Sequence, residues 1–394
     1  MNADVTRRSF MMSAATAASA ARVAGANDRI RLGIIGTGGR GMHLVRMANL
    51  AGGIEWIAVC DAWDVRREEA VKKLDRPVEK YADYSKLLDR TDIDAVIIAT
   101  LDHLHAPMTI DACRAGKDVF VEKPMTSQPI QGVELVRVVR ETKRVVQVGV
   151  QQRSLAHFIE AKSKFFDSGL MGQVGLARTI WNYNRGYLSP VPPGMDEKPA
   201  GLDWEAVLGW LPKRSWDPKR YFNRFAYWDF ATGGQTGGLF VHLVDVVHWY
   251  LNIKRPVSAV ALGGIYRYDD GRDTPDVINL VLDYPEKVNV TFEATLLDAK
   301  EEADIIFIGT GGRLYIFRYG YRYIPSGENK AVGEIAAGGT PEPPHMANWL
   351  DCIRTRKEPN ANAVDGHYSA MACHIGNIAY KEKTRVAWRK EWDV

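Results

Sequence analysis

The feature that most limits how this chain can fold is a glycine-rich turn set between a strand and a helix. Ile30-Arg31-Leu32-Gly33-Ile34-Ile35 is a short, β-branched run suited to a strand buried on both faces. It leads into Gly36-Thr37-Gly38-Gly39-Arg40-Gly41, after which Met42, Leu44, Val45, Met47 and Ala48 recur at helical spacing. A G-x-G-x-x-G peptide means little alone, but between strand and helix it predicts a dinucleotide site. Gly36 permits the tight turn, Gly38 lets the backbone approach a pyrophosphate, and Gly41 lets helix and strand pack closely. The helix N-terminus then offers N–H groups to the phosphates. A second strand, Ile54 to Cys60, ends at Asp61, twenty residues after Gly41. A carboxylate there accepts the ribose hydroxyls of NAD and repels a 2′-phosphate. Arg66 and Arg67 lie close by and keep NADP open. Strands are also predicted at Ala95 to Thr100, Asp118 to Val121 and Val145 to Val150, with helical patterns between. That alternation predicts a doubly wound parallel sheet over residues 27–150.

The chain carries its own control. Gly309-Thr310-Gly311-Gly312-Arg313 repeats the loop, but position 314 is Leu rather than Gly, and Leu314-Tyr315-Ile316-Phe317 is strand-like. The second copy is therefore expected to be a hairpin turn with no dinucleotide site.

Composition excludes other classes. The 394 residues include 51 Lys or Arg and 48 Asp or Glu, a net charge of +3, with 46% hydrophobic residues. That supports a packed core and excludes a disordered chain. It provides no clustered basic footprint for nucleic acid. No apolar run in the body reaches membrane-spanning length, so no membrane insertion is expected. Cys60, Cys113, Cys352 and Cys373 lack C-x-x-C spacing and read as small buried hydrophobes. Residues 1–26 read as an export leader: Arg7-Arg8 before Ser9-Phe10-Met11, an Ala-rich apolar stretch, then Ala24-Gly25-Ala26. The paired arginines point to the twin-arginine route and a periplasmic or extracytoplasmic location. Removing this leader takes away Arg7, Arg8, Arg22 and Asp4, which lowers the net charge from +3 to +1. A near-neutral body suits an uncharged, sugar-like ligand.

Chemistry can be placed at two points. Glu122-Lys123-Pro124 follows a strand at the carboxyl edge, where α/β sheets bind ligands. A lysine buried beside a nicotinamide ring would have a depressed pKa suited to proton exchange. The alternative is a surface Lys-Pro turn. Gly237-Gly238-Leu239-Phe240-Val241-His242-Leu243-Val244-Asp245 reads as a glycine-started helix with His242 and Asp245 on one face. Asp245 there could orient the imidazole. A core histidine with a satisfied hydrogen bond is the alternative, and His248, six positions on, faces elsewhere, so no metal site is expected. Between residues 181 and 230 lie Trp181, Trp204, Trp210, Trp216 and Trp228, with Tyr183, Tyr187, Tyr221 and Tyr227. Such aromatic loops suit stacking on a sugar, a subunit interface or a packed core equally.

With these residues in view, the chain resembles the Gfo/Idh/MocA family, the relatives of glucose–fructose oxidoreductase and inositol dehydrogenase. The resemblance rests on Gly36, Gly38 and Gly41; on Thr100-Leu101-Asp102-His103-Leu104-His105; and on Glu122-Lys123-Pro124. It continues through Val148-Gly149-Val150-Gln151-Gln152-Arg153, Leu202-Asp203-Trp204, Pro212-Lys213-Arg214 and Asn348-Trp349-Leu350-Asp351 to Gly366-His367 and Cys373-His374-Ile375-Gly376-Asn377. Several of these look like an exported subgroup. Position 101 is Leu where the family usually has Pro, and position 238 is Gly where many members carry Asp.

The resemblance implies a C-terminal α/β domain (residues 151–394) with a large open, mostly antiparallel sheet used for substrate binding and homo-oligomerisation, as a dimer or tetramer. It implies hydride transfer between NAD or NADP and a secondary hydroxyl of a sugar, glycoside or cyclitol. Lys123 and His242 match the catalytic pair, and Asp245 is the expected stand-in for the missing carboxylate. The implied cofactor residues are Gly36, Thr37, Gly38, Gly39, Arg40, Gly41, Asp61, Thr100, His105, Glu122, Lys123 and Gln151. The implied substrate residues are Lys123, Arg153, Tyr183, Trp228 and His242. Two rivals remain. One is an enzyme with tightly held NAD that oxidises transiently, for glycoside cleavage, epimerisation or sugar–sugar exchange. The other is a non-catalytic dinucleotide- or sugar-binding protein.

Overall fold

The computed structural model describes residues 29–184, 186–298, 304–336 and 342–394. The expected leader at residues 1–26 lies outside them. The first strand, β1 (Ile30–Ile35), is followed by the helix Gly39–Ala51, then β2 (Ile54–Cys60), β3 (Glu79–Tyr81), β4 (Ala95–Ile98), β5 (Asp118–Val121) and β6 (Val146–Val148). All pairings among them are parallel, in the order β3-β2-β1-β4-β5-β6. β4 and β5 are buried along their whole length, as expected for strands covered by helices on both faces. The order reverses direction between β1 and β4, which opens a ligand crevice at the carboxyl edge there. β4 and β6 are shorter than the sequence suggests, because the chain turns away at that same edge.

The second sheet contains β7 (Val174–Ile180), β8 (Ser258–Gly264), β9 (Val277–Tyr284), β10 (Val288–Thr295), β11 (Ile305–Gly309), β12 (Gly312–Phe317), β13 (Gly320–Pro325), β14 (Gly333–Ala336) and β15 (Val386–Ala387). Its order is β14-β13-β12-β11-β7-β10-β9-β8-β15, antiparallel except for the pair β7–β10. Strands β9 and β10 bury alternate residues, so only one face meets the core. Against that face lie the helices Val241–Leu251 and Ala363–Glu382, and ring stacking such as Phe240 on Phe292 (centroids 4.7 Å apart) locks the layers. Truncating Phe292, which is fully buried, would cost about 3–5 kcal/mol through the cavity left behind.

The cores of the two sheets are not divided as the chain is. Helix Glu342–Thr355, far along the sequence, returns to the first sheet and buries Met346, Trp349 and Leu350 beside Ile30, Leu32 and Phe120. Trp349 meets Phe120 edge-on, with centroids 5.7 Å apart. All four cysteines are free and buried. Among the described residues no helix is long and apolar enough to cross a membrane.

Candidate active site

A cleft of about 1370 Å³ runs along the carboxyl edge of the first sheet and is walled on its far side by the second domain. At its floor is the glycine loop. Gly36 has φ +92°, and a Cβ on it would sit 2.6 Å from the carbonyl oxygen of Ala99. A Cβ on Gly41 would sit 1.9 Å from the oxygen of Gly36, so the helix crosses the turn at the distance only glycine allows. Helix Gly39–Ala51 begins without any side-chain cap, which leaves its first N–H groups turned to the cleft's anion-binding end.

Asp61 is buried at the end of β2 and lines the cleft. Its Oδ2 accepts from the Thr37 N–H (2.8 Å) and hydroxyl (3.1 Å), and its Oδ1 from the Trp63 N–H (3.0 Å). Thr37 thus pins the carboxylate to the loop and does not itself line the cleft. Gly36, Gly38, Gly39, Arg40, Thr100, His105, Glu122, Lys123 and Gln151 all do. Loop, uncapped helix and carboxylate fit a dinucleotide: the loop would hold the pyrophosphate and Asp61 the adenosine ribose. When bound, NAD supplies a hydride acceptor at its nicotinamide ring.

Arg40 is not a free phosphate ligand. Its Nε donates to Glu122 Oε1 (2.6 Å) and its Nη1 to Glu342 Oε2 (2.9 Å). Burial raises the Glu122 carboxyl, but the charges of Arg40 and Lys123 outweigh that and hold it below its ordinary value. His105 is also occupied: its Nδ1 donates to the Pro124 carbonyl at 2.8 Å, which fixes the turn that carries Lys123.

Lys123 Nζ donates to the carbonyl oxygen of Gly238 at 2.7 Å. Burial lowers its pKa, against the pull of Glu122 and Asp102. Gly238 lies in a π-helical turn, Thr236–Phe240, just before the helix that carries His242. A Cβ at 238 would sit 2.8 Å from the Phe225 ring, so that ring occupies the space an aspartate would need. The lysine therefore takes a backbone carbonyl as its acceptor. His242 lines the same cleft, and its Nδ1 donates to Gln152 Oε1 at 3.1 Å. That bond fixes the tautomer and leaves Nε2 as the basic nitrogen. Burial, then the Lys123 charge, pushes the imidazole well below its ordinary pKa.

Three expectations are corrected. Asp245 does not orient His242: it is fully buried and accepts from Arg153 Nε (2.7 Å) and Ser369 Oγ (2.9 Å). Residues three apart share a helix face only loosely, and the adjacent helix Ala363–Glu382 draws this carboxylate inward. Arg153, expected to meet substrate, does not line the cleft: its guanidinium is buried between Asp245 and Asp365. Trp228 does not line the cleft: its Nε1 donates to Asp273 O, and its ring stacks on Tyr380 under Lys381. Tyr183, half exposed, does line the cleft. The aromatic segment divides between wall and core: Tyr183, Tyr187 and Trp210 face the cleft, while Trp204, Trp216 and Phe230 pack on one another. Sequence reasoning missed Gln152 and Glu342. The first was visible only as a Gln-Gln pair, and the second lies 302 residues from its partner Arg40. His248 is bonded to the Tyr284 hydroxyl, and among the described residues no His, Cys, Asp and Glu cluster could hold a metal.

Comparison with known proteins agrees with this architecture. Residues 30–150 match the Gfo/Idh/MocA model described as an oxidoreductase family with an NAD-binding Rossmann fold. Residues 177–392 match its C-terminal alpha/beta domain. An inositol 2-dehydrogenase of Salmonella paratyphi B is 34% identical over 149 residues, 36% of this chain and 43% of that protein. A glycosyl hydrolase family 109 protein of Shewanella sp. ANA-3 is 36% identical over 126 residues, 30% of this chain and 27% of that protein. The matched stretch thus spans less than half the length of either relative. A levoglucosan dehydrogenase in complex with NADH and levoglucosan superposes with a TM-score of 0.71 at 16% identity, covering 91% of this chain and 99% of that one. At that identity the superposition establishes the shared fold.

Proposed function

The chain belongs to the Gfo/Idh/MocA oxidoreductase family, and on that premise we propose that it moves hydride between a secondary hydroxyl of a sugar, glycoside or cyclitol and a nicotinamide cofactor. The observation that carries this reading is the pairing of Lys123 and His242 on one cleft with the glycine loop, each held by a fixed acceptor. His242, kept neutral by burial, takes the hydroxyl proton at Nε2. Lys123, oriented by the Gly238 carbonyl, donates to the substrate oxygen and steadies the charge that grows there. Tyr183 and Trp210 give the wall apolar faces for the C–H side of a ring. The cleft-lining charges occur in both signs, with Arg40 and Arg224 tied to Glu122 and Asp102, which suits an uncharged polyol.

The test is the nicotinamide redox signal of Lys123→Met and His242→Ala proteins given a panel of sugars, glycosides and inositols. Both should lose turnover by about 10²–10⁴-fold. Near-native turnover in both folded variants would end the assignment. A second reading is favoured by the likeness to a glycosyl hydrolase: the cofactor stays bound, and hydride taken from the substrate is later returned to it. Glycoside cleavage without added NAD separates the two. We further propose export by the twin-arginine route, supported by Arg7-Arg8 and the Ala-rich stretch after them, and assembly as a homo-oligomer, supported by the resemblance.

A further inference from the structure

The aromatic segment 199–222 belongs to the second domain in sequence but is fastened to the first at two points. At one foothold it pairs with the end of β2: Asp64 N–H donates to Gly201 O (3.1 Å), Asp203 N–H to Ala62 O (2.9 Å), and Trp63 forms a bridge with Leu202. At the other it docks on helix Asp102–Arg114, which follows β4. His103 Nε2 donates to Val207 O (2.9 Å), Trp210 Nε1 to His103 O (2.6 Å), and Gly209 lies against Leu104. In the sheet order β2 and β4 flank β1, so the segment stands astride the glycine loop. One foothold follows β2 and the other follows β4, one on each side of β1. Within the segment Ala206, Val207, Gly209, Trp210 and Tyr221 form part of the cleft wall.

Arg66 closes this bridge from the side. Its guanidinium lies 5.5 Å from the Trp63 ring centroid and 5.3 Å from that of Tyr221, and so joins the first domain to the segment. Its Nη1 is 3.0 Å from the point where a Cβ on Gly38 would be, beside the loop that would hold the pyrophosphate. No ion pair engages it among the described residues, and Arg66 itself lines the cleft. A dinucleotide stretched from Asp61 at the end of β2 to Lys123 at the end of β5 must pass over β1, beneath the span.

We propose that residues 199–222, latched by Arg66, form a docked roof that the dinucleotide cannot pass without undocking, so that the cofactor stays bound through many turnovers. The inference rests on the nicotinamide-cofactor reading above. It says nothing about which polyol reacts, and it favours chemistry in which hydride and proton leave one carbinol and return within the same site, with no external oxidant.

A roof slows arrival and departure alike, whereas a lost binding contact speeds departure only. Gly201 (φ +74°) and Gly209 (φ +56°) sit at the two footholds. A Cβ on Gly201 would lie 1.9 Å from Asp64 Oδ2, and one on Gly209 would lie 2.4 Å from Leu104 Cδ2. Gly201→Ala and Gly209→Ala should each lift one end. NADH binding to and release from the full chain can be followed by stopped-flow fluorescence, with thermal melts to confirm folding. Both rate constants should rise about tenfold in at least one variant while Kd moves less than about threefold. A rise in release alone, or wild-type association already near about 10⁶–10⁷ M⁻¹s⁻¹, overturns the roof. Because no sugar is present, either outcome leaves hydride transfer to be judged separately by the redox assay.

Discussion

The same five residues, Gly-Thr-Gly-Gly-Arg, occur at positions 36–40 and at 309–313, and the molecule uses them in opposite ways. In the first copy the peptide leaves a buried parallel strand and enters a helix with no side-chain cap, so the amides that open the helix face the cleft, although Gly36 N–H is spent on Cys60 O and Thr37 N–H on Asp61 Oδ2. In the second it turns β11 into β12, with Gly309 paired to Gly312. There the Thr310 N–H donates to Gln173 O (3.0 Å) and the Gly311 N–H to Met171 O (3.0 Å), which spends the donors on the neighbouring chain. The arginines diverge as well. Arg40 joins Glu122 to Glu342 in a half-buried network, whereas Arg313 donates to the Glu328 carbonyl and, among the described residues, forms no ion pair. The same peptide becomes a candidate binding site where the next element is a helix whose first turn has no side-chain cap.

The comparison can be pressed at four strengths. Chemistry should attach to the first copy alone. Lys123→Met should lower kcat by about 10²–10⁴-fold with little change in thermal midpoint, while Arg313→Ala leaves steady-state rates unaltered. Arg40→Met strands the buried Glu122 charge and should cost about 3 kcal/mol in urea unfolding, whereas Arg313→Met should cost under about 0.5 kcal/mol. Equal losses would sink the contrast.

Gly41→Leu, which rewrites the first loop as the second, drives a side chain into the Gly36 carbonyl. We expect about 2–3 kcal/mol of destabilisation and loss of NADH fluorescence enhancement. The reciprocal Leu314→Gly should destabilise by a similar amount, since Leu314 is fully buried, yet create no cofactor binding. Enhancement in that variant would show that sequence alone suffices.

The smallest effect concerns pH. Burial pushes His103, which anchors the roof, and His345, which ties the late helix to β6, down to about 4 from an ordinary 6.5. Their folded-state values lie below the unfolded one, so the unfolded chain binds more protons between these limits. Stability is therefore complete above pH 6.5 and falls as pH drops toward 4, by about 1.4 kcal/mol per unit for each group. Urea midpoints at pH 7 and pH 5 check the sign. A midpoint that rises on acidification contradicts it.

Much of the first domain was legible because its signals are local. β1, β2 and β5 end where the apolar runs end, and Asp61 follows from spacing alone. Asp245 misled for a definable reason: helical periodicity says which residues share a face, but not which neighbour a carboxylate will choose. Arg153 and Ser369 lie 92 and 124 residues away from it. Trp228 and Trp210 look alike as residues of an aromatic loop, and only packing puts one under Lys381 and the other on the cleft.

The sequence by itself determined the parallel sheet, the glycine loop and its carboxylate, because strand burial, tight turns and helix starts are set by residues a few positions apart. It also singled out Lys123 and His242 as candidates for the chemistry, each beside a structural alternative. Only the tertiary structure decided what holds them. Gly238 offers a carbonyl to the lysine because Phe225 fills the space of a side chain, and Gln152, rather than Asp245, sets the imidazole tautomer. It also carried segment 199–222 back across the first domain. These are contacts between distant parts of the chain, fixed by the packing of one domain on the other, and no periodicity records them.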